Sequence, residues 1–548
     1  MNRARNFFSV AGEIWSRPQQ SPTTDMLSRE PSPQDFSTSP PPEGHTRPDR
    51  LPGVSWIADT IQLGASGDRF APGDFVADQT HTRLAVPATL VSTPGSPTGL
   101  VARLGFFDAT MVVMGGIIGS GIFINPYVVA TLVHSPVLIL GAWVSGGAIA
   151  LLGAFIYAEL ADRMPKVGGQ YAYLSAAFHP ALGFLYGWVS LLVIGAGGTA
   201  AVAVTFAKYF GQLIHLAIPE SVPAVAVVTA LVAINCMGVR AGSGLQSLFM
   251  VLRILAVAMI VTGGAWFIVR ASGASHAAWH PAVDGPVSLG LLSVFGASMI
   301  PVLFAYGGWQ TANFIASEIR QPRKTLSRAL LLGVLGVIAL YVSVNFIYVQ
   351  ALGPVGLAST ATPASEVMSR AFGAFGARLI AVAIVISTVG FLSQAMLTYP
   401  RLYFAMASDG VLPAGFARLT QRSRAPVGTI VLQGCVTIAV ILLGTYEQIL
   451  SYVVVMDWLF FCLTAASLFI FRSRDRRNPG LGADADIGYR VPGHPWSTGL
   501  FTAVSGLIVL NTIYKYPRNA GVAVCILFAG LPFYFLLRGR AQRPPNSE

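Results

Sequence analysis

The chain has 548 residues, of which 53% are hydrophobic and only 11% are charged, and its formal net charge is +11. Soluble domains carry about 25% charged residues, so this composition excludes an ordinary soluble protein and indicates an integral membrane protein. The excess of cations does not indicate nucleic-acid binding, because the Lys and Arg residues stand in short segments between apolar runs, where membrane topology explains them.

Residues 1–100 differ in composition from the rest of the chain. They are rich in Pro, Ser, Thr, Asp and Gly and show no sustained hydrophobic period. Such a segment buries too little apolar surface to offset its ordering entropy, so we expect a disordered tail. No apolar segment typical of a cleaved signal peptide precedes the first apolar block, and we expect that block to act as its own insertion signal.

Twelve apolar segments follow, and each is long enough to cross a bilayer as a helix. The predicted spans are 106–131, 137–160, 178–209, 222–239, 245–270, 288–317, 328–352, 372–404, 427–445, 448–471, 498–514 and 520–537. Spans 1–10 are expected to form a core over residues 104–475. A loop at 476–497, two further helices within 498–538 and a tail at 539–548 complete the predicted organisation.

The basic residues predict which loops are cytoplasmic. They cluster after spans 2, 6, 8, 10 and 12, as Arg163 and Lys166, Arg320, Arg323, Lys324 and Arg328, Arg418, Arg422 and Arg424, Arg472, Arg474, Arg476 and Arg477, and Arg538, Arg540 and Arg543. The positive-inside rule then places both termini in the cytoplasm, in a plasma or inner membrane. Arg370, Arg378, Lys515 and Arg518 are exceptions on the predicted outer side.

Two glycine-rich interruptions lie inside otherwise apolar spans, GGIIGSGIF at Gly115–Phe123 and FAYGGW at Phe304–Trp309. A helix break at mid-membrane frees backbone groups, each costing several kcal/mol in lipid, and survives where it lines a cavity. Because each half has five spans, the sixth span begins on the opposite side of the membrane from the first, and the broken helices run antiparallel. This predicts an inverted repeat of spans 1–5 and 6–10 with a midplane site, as in secondary transporters. The alternative is that the glycines only permit close helix packing.

The first break predicts an anion site. Unwinding around Gly119–Gly121 creates a new helix N-terminus at Ser120, Gly121 and Ile122, whose free N–H groups and positive dipole end suit a carboxylate.

Unpaired carbonyls predict a neighbouring cation site. They are expected at Ile117 and Ile118, where the preceding half-helix ends, and around Phe304 and Ala305 in the second break. These oxygen atoms suit an ammonium group. A carboxylate and an ammonium side by side describe an α-amino acid, whose side chain the breaks leave unspecified.

Two of the charges inside predicted spans are candidates for function, Arg253 in span 5 and Asp457 in span 10. A charge at the helix centre costs about 2.5–3.5 kcal/mol on insertion scales, so both are functional or paired. Arg253 has the alternative of snorkelling to the cytoplasmic interface. Three roles stay open for Asp457: pairing with a cation, carrying a coupled proton, or hydrogen-bonding to helix ends.

Residues for catalysis or metal binding are not apparent. The four cysteines lie in apolar runs without redox or metal-ligand spacing, and no nucleophile, base or metal constellation is visible. We expect neither enzyme activity nor a cofactor.

Several motifs resemble the amino acid–polyamine–organocation superfamily, in particular its L-type amino acid transporter branch. They are GGIIGSGIF, YAELADRMPKVGGQYAYL, INCMGVRAGSGLQ, FAYGGWQTANFIASEIRQPRKTLSRA and STVGFLSQAMLTYPRLYFAMASDGVLP. The resemblance implies an all-α membrane protein of about twelve helices with the LeuT-type 5+5 inverted repeat. It further implies Na⁺-independent amino acid transport or exchange.

Residue roles also follow from the resemblance. The backbone of Ile117, Ser120 and Gly121 would contact the substrate, and carbonyls near Phe304, Ala305 and Gly307 would hold its ammonium. Phe304 resembles the family's aromatic gate, with a packing aromatic as the alternative.

The resemblance also implies roles beside these backbone contacts. Trp309 and Gln310 would shape the side-chain pocket, and Gln310 stands where relatives often have Asn. Arg253 would replace the sodium ion that related carriers hold near Ser387 and Thr388, and arginine keeps its proton at physiological pH.

The functional hypothesis is a neutral amino acid permease or exchanger working by alternating access. A proton-coupled amino acid or amine symporter using Asp457 is the alternative, and a transport-incompetent sensor or a channel is the alternative of another class. No cysteine lies between spans 3 and 4, so a disulfide-linked ancillary subunit is not expected.

Overall fold

The computed structural model describes residues 102, 104–214, 218–237, 239–271, 289–421, 424–443, 446–477 and 488–541. The predicted tail at 1–100 and residues 478–487 of the predicted loop at 476–497 lie outside these residues. The described residues are helical and contain no strand, apart from one isolated parallel bridge between Leu104 and Ile319. The predicted all-α membrane architecture is therefore confirmed.

Twelve apolar spans are present in the described part of the chain, ten of them long enough to cross a membrane and two of them shorter. Spans 1–6 are Phe106–Ile117 with Gly121–Leu132, Pro136–Arg163, Pro180–Ile214, Ser221–Met237, Val239–Ala271, and Leu289–Tyr306 with a 3₁₀ segment Trp309–Glu318. Spans 7–12 are Pro322–Ala358, Pro363–Ser408, Val427–Leu443, Tyr446–Arg477, Trp496–Lys515 and Pro517–Ala541. A π-helical turn, Ser190–Ile194, interrupts span 3, and short helices lie at Gln170–Ala177 and Ala414–Ala417.

Spans 7 and 8 each continue past a kink that lies close to their predicted limits. Span 7 was expected to end at 352, and its helical conformation is interrupted at Gly353, which has a φ of 67°, before the chain continues to Ala358. Span 8 was expected to begin at 372, and a kink at Phe372 and Gly373 separates it from a preceding helical segment that begins at Pro363. At both places two helices meet across non-helical backbone, so the predicted limits coincide with the kinks. Span 12 continues to Ala541, into the predicted tail.

The broken spans 1 and 6 are surrounded by other helical spans. Span 7 packs along spans 1 and 2, and span 8 packs along spans 3 and 5, while span 6 contacts both span 1 and span 2. Next to the first break, the buried rings of Trp143, Tyr306 and Tyr341 form a cluster with centroids 5.1–5.9 Å apart. The Tyr341 hydroxyl donates to the Ile117 carbonyl at 3.1 Å, so span 7 holds the end of the first half-helix.

A cluster of charged residues joins the ends of spans 2 and 10. The Glu159 carboxylate is fully buried and accepts hydrogen bonds from Arg163, Arg472 and the Val491 N–H. Arg163 also pairs with Asp475. A buried carboxylate requires such partners, so these contacts fix the end of span 2 against span 10 and the segment that precedes span 11.

Candidate functional site

The break in span 1 leaves a run of backbone donors without partners. The first helix ends at Ile117 and the second begins at Gly121, as predicted. In the described part of the chain, the N–H groups of Ser120, Gly121 and Ile122 donate to no backbone acceptor. These are the orphan donors of a helix N-terminus, where the positive end of the helix dipole also lies.

The carbonyl groups of the first break differ from the expectation. The Ile117 carbonyl is not unpaired, because it accepts hydrogen bonds from the Gly119 N–H at 2.8 Å and from the Tyr341 hydroxyl at 3.1 Å. The chain turns sharply enough at Ile118 for the Gly119 amide to reach back. The Ile118 side chain is buried, and Ile118 does not line the cavity described below.

The break in span 6 depends on Gly308, whose φ of 100° lies in the region that favours glycine. The Gly307 N–H donates to the Phe304 carbonyl at 3.2 Å, and the Gln310 side-chain oxygen accepts from the Gly308 N–H at 3.0 Å. The Gly308 carbonyl accepts from the Thr311 hydroxyl at 2.7 Å. The Phe304 carbonyl is therefore not unpaired, contrary to the prediction, because the chain turns back at Gly307. The Ala305 carbonyl accepts no hydrogen bond from outside its own helix among the described residues.

The two breaks are in direct contact. A methyl group on Gly116 would lie 2.5 Å from the Gly308 carbonyl oxygen, and one on Gly121 would lie 2.7 Å from the Ala305 Cα. The Asn125 amide donates to the Pro301 carbonyl at 2.6 Å and adds a polar link between the spans. The glycines thus do permit close packing, as the alternative interpretation holds, but the backbone groups around them also face a cavity.

This cavity is small, with an accessible volume of about 50 Å³. The predicted site residues that line it are Ile117, Gly119, Ser120, Gly121, Phe304, Ala305, Gly307, Gln310 and Asp457. The Ser120 side chain is fully buried, and its hydroxyl has no hydrogen-bond partner. A buried polar group without a partner is costly, so the Ser120 hydroxyl marks this wall as a place for a ligand.

Asp457 brings a carboxylate to the same cavity. Its side chain is 7% exposed, and the Gln310 amide donates to its two oxygens at 3.4 and 3.5 Å. The Asp457 Oδ2 atom lies 3.7 Å from the position of a methyl group on Gly307. No ion pair to Asp457 occurs among the described residues.

Arg253 lies outside the cavity, behind the first break. Its guanidinium is fully buried and donates to the Gly115 carbonyl at 2.9 Å, so it does not snorkel to the membrane interface. Its Nε and NH2 groups have no hydrogen-bond partner and lie against Gly390 of span 8. The Arg253 side chain therefore bridges spans 1 and 8, as the predicted sodium substitute would.

Ser387 and Thr388, the predicted neighbours of Arg253, are buried in span 8. The Thr388 hydroxyl donates to the Ile384 and Val385 carbonyls of its own helix, and the Ser387 hydroxyl has no partner. Neither hydroxyl is hydrogen-bonded to Arg253, whose contact to span 8 is with Gly390 instead.

Trp309 departs from the prediction, because it does not line the cavity. Its ring packs on Tyr157 and Phe461, with centroids 4.7 and 5.2 Å apart. The segment after the second break is 3₁₀ rather than α-helical, and this changes side-chain directions from one residue to the next. Phe304 does line the cavity and packs against buried apolar side chains of the core.

Several cavity residues have no sequence signal of their own. Spans 3, 8 and 10 contribute Ile194, Val202, Phe391, Tyr399, Val454 and Trp458. They are apolar or aromatic residues in helices that are apolar on most faces, so periodicity does not separate cavity walls from packing positions. The glycine spacing in span 3, where Gly198 lines the cavity and has open space beside it, is the one pattern that indicates a wall.

Two broken spans around a cavity with unpartnered polar groups are typical of a membrane carrier for a small molecule. Residues 104–535 match the family model described as "Amino acid permease". The chain belongs to this family and is a secondary amino acid transporter rather than an enzyme. The expected membership of the amino acid–polyamine–organocation superfamily is confirmed.

Three relatives illustrate the similarity. The serine/threonine exchanger SteT of Bacillus subtilis is 30% identical over 81% of this chain and 98% of its own length. The large neutral amino acids transporter small subunit 2 of Rattus norvegicus is 28% identical over 82% of this chain and 83% of its own. The Asc-type amino acid transporter 1 of Mus musculus is 29% identical over 80% and 81%, respectively.

Proposed function

We propose that the protein exchanges neutral L-amino acids across the membrane without sodium, by alternating access. The observation that carries this proposal is the run of unpartnered donors at Ser120, Gly121 and Ile122, of which Ser120 and Gly121 line the cavity beside the buried Ser120 hydroxyl. This donor set suits the carboxylate that all amino acids share. The names of the three relatives, which specify serine and threonine, large neutral amino acids and Asc-type amino acids, support a neutral cargo.

The opposite end of the amino acid would bind at the second break. The span 6 helix ends here at Tyr306, so carbonyl oxygens and the negative end of its dipole face the ammonium. Phe304 would close over the bound substrate, and Gln310 would contact its side chain. Spans 1 and 6 would rock as one bundle against a scaffold of the remaining core, with spans 1–5 and 6–10 as inverted repeats.

Sodium independence rests on Arg253. A fixed guanidinium already occupies the region between spans 1 and 8, with its charge 2.9 Å from the Gly115 carbonyl. Arginine keeps its proton, so Arg253 would stabilise the first break permanently in place of an exchangeable cation.

The remaining topology is proposed on the sequence. Both termini would be cytoplasmic in the plasma or inner membrane, because the basic loops follow the even-numbered spans. The chain would work without a disulfide-linked subunit, since its four cysteines lie in spans 4, 9, 10 and 12 and the connection between spans 3 and 4 contains none.

Counterflow in proteoliposomes tests the function. Vesicles loaded with one unlabelled amino acid should accumulate the labelled form faster than empty vesicles, at equal rates in sodium and potassium buffers. A panel of neutral amino acids is needed because the breaks contact only the shared backbone of the substrate. A panel without trans-acceleration would contradict the proposal and favour a sensor or a channel.

A proton-coupled symporter is the second candidate, because Asp457 lines the cavity without an ion partner in the described chain. This candidate requires uptake that rises with an imposed pH gradient and is lost in Asp457→Asn.

A further inference from the structure

The carboxylate of Asp457 is placed at the one end of the cavity where positive charge is favoured. A methyl group on Gly307 would have three oxygens around it, the Phe304 carbonyl at 3.3 Å, the Leu303 carbonyl at 3.5 Å and Asp457 Oδ2 at 3.7 Å. The two carbonyls belong to the C-terminal end of the first helix of span 6, where the helix dipole is negative. A carboxylate and a helix C-terminus both attract cations, but no cationic side chain pairs with Asp457 among the described residues.

Nothing else in the described chain neutralises this carboxylate. Gln310 supplies a neutral amide at the long distances of 3.4 and 3.5 Å. The titratable groups that interact electrostatically with Asp457 are the phenols of Tyr157, Tyr186 and Tyr399, which supply no positive charge. Buried carboxylates are ordinarily paired or neutral, and Asp457 has no cationic partner among the described residues, so a cation from outside the protein could pair with it in the cavity.

The cavity is also polarised from end to end. Arg253 places a buried positive charge behind the first break, on the Gly115 carbonyl, and the free N–H groups of Ser120 and Gly121 face the cavity from the same break. Asp457 and the span 6 carbonyls face it from the second break. A zwitterion in one orientation satisfies both ends, and the reverse orientation satisfies neither.

We propose that Asp457 is the counter-ion of the substrate's ammonium group, so that the site recognises primary ammonium compounds even when they lack the α-carboxylate. This inference rests on the proposed function and adds a charged partner to a site otherwise built from backbone groups. Amines that correspond to decarboxylated amino acids are then ligands. Amino acids whose amino group is acylated are not, because the Asp457 carboxylate meets a neutral amide.

Binding to the purified full-length protein in detergent at fixed pH tests the proposal without any ion gradient. The probes form two sets, each with an amino acid, the corresponding decarboxylated amine and the N-acetyl amino acid. The first set is L-serine, ethanolamine and N-acetyl-L-serine, and the second is L-leucine, isoamylamine and N-acetyl-L-leucine. Wild type should bind each amino acid, bind the amines more weakly, and bind neither N-acetyl compound. Replacing a charged hydrogen-bond partner by a neutral one corresponds to about tenfold in affinity, so Asp457→Asn should weaken amino acid and amine alike by at least about tenfold.

Matched variants separate this role from others. Ser120→Ala should weaken the amino acids and leave the amines unaffected, because the Ser120 hydroxyl lies at the carboxylate end. Asp457→Glu, which keeps the charge, should retain part of the affinity that Asp457→Asn loses. If Asp457→Asn fails to fold, competition between amines and amino acids for binding to the wild-type protein decides. Amines that do not compete with the amino acids would overturn the proposal.

One outcome favours the proton-coupled candidate instead. Asp457→Asn resembles a protonated carboxyl, so amino acid binding as tight as in wild type, or tighter, would show that Asp457 is neutral in the bound state and would overturn the proposal. Failure of the exchanger proposal would give a different result. Absence of trans-acceleration in proteoliposomes, together with Asp457-dependent amine binding in detergent, would remove the exchange function and leave the ammonium site.

Discussion

Adding one methyl group at Gly121 tests the contact between the two breaks. In Gly121→Ala the new Cβ lies 2.7 Å from both the Cα and the Cβ of Ala305, whereas carbon atoms prefer about 3.5–4.0 Å. Spans 1 and 6 must therefore separate by roughly 1 Å at the site. Overpacking of this kind costs about 1–3 kcal/mol. Strain of this size that falls on the substrate-bound arrangement weakens binding by about 5- to 150-fold.

The expected pattern is as informative as the size of the loss. The Gly121 N–H belongs to the donor set for the shared carboxylate, so affinity should fall by a similar factor for every amino acid, and Gly121→Val should be more severe. Counterflow and ligand-dependent thermal stabilisation measure the effect. Gly141→Ala in span 2 is the matched control, because no atom lies within 4 Å of its added methyl group. Unchanged affinities in Gly121→Ala would refute the assignment of the carboxylate site.

Three further predictions concern other parts of the protein. Gly308→Ala should unfold at a lower temperature than wild type. The backbone φ of 100° is unfavourable for alanine, and its methyl group would lie 2.0 Å from the Gly116 carbonyl oxygen. The fluorescence melting curve should shift by the equivalent of at least about 1–3 kcal/mol. Arg253→Met should reduce the initial counterflow rate by at least about tenfold, the effect of about 1.4 kcal/mol, while Arg253→Lys should retain more activity because it keeps a donor near the first break. Glu159→Gln should destabilise the protein by about 3–5 kcal/mol, because two partly buried arginines lose the fully buried anion that they share. Glu366→Gln, which breaks an exposed pair, should change stability by less than about 1 kcal/mol in the same melting experiment.

The helix breaks were predictable because glycine density is a local property of the sequence. The interruption at Gly119–Gly121 and the turn at Gly307–Gly308 both fall where the spacing places them. The walls from spans 3, 8 and 10 were not predictable in the same way. Residues such as Val202 and Phe391 become cavity residues only through packing between distant helices, and their local sequence is that of any buried span.

Side-chain direction after a break was the least predictable property. Continuing span 6 as an α-helix would place Trp309 and Gln310 by a period of 3.6 residues, but the chain forms a 3₁₀ segment with a period of 3.0. As a result Gln310 faces Asp457 and Trp309 packs against Tyr157. The 3₁₀ segment includes a hydrogen bond from the Thr311 hydroxyl to the Gly308 carbonyl. This local change in hydrogen bonding thus decides which residue reaches the substrate cavity.

The polarity of the cavity gives a physical reason for exchange over uniport. An occupied cavity satisfies the Ser120 hydroxyl and the N–H groups of the first break and, on the ammonium proposal, the Asp457 carboxylate. An empty cavity that closes without substrate leaves these groups unpaired in a water-poor interior, at several kcal/mol. Each 1.4 kcal/mol added to the barrier of the empty return step slows it about tenfold. The carrier therefore returns faster with a second amino acid than without one, and trans-acceleration should shrink in Asp457→Asn, where the empty cavity no longer contains an unpaired charge.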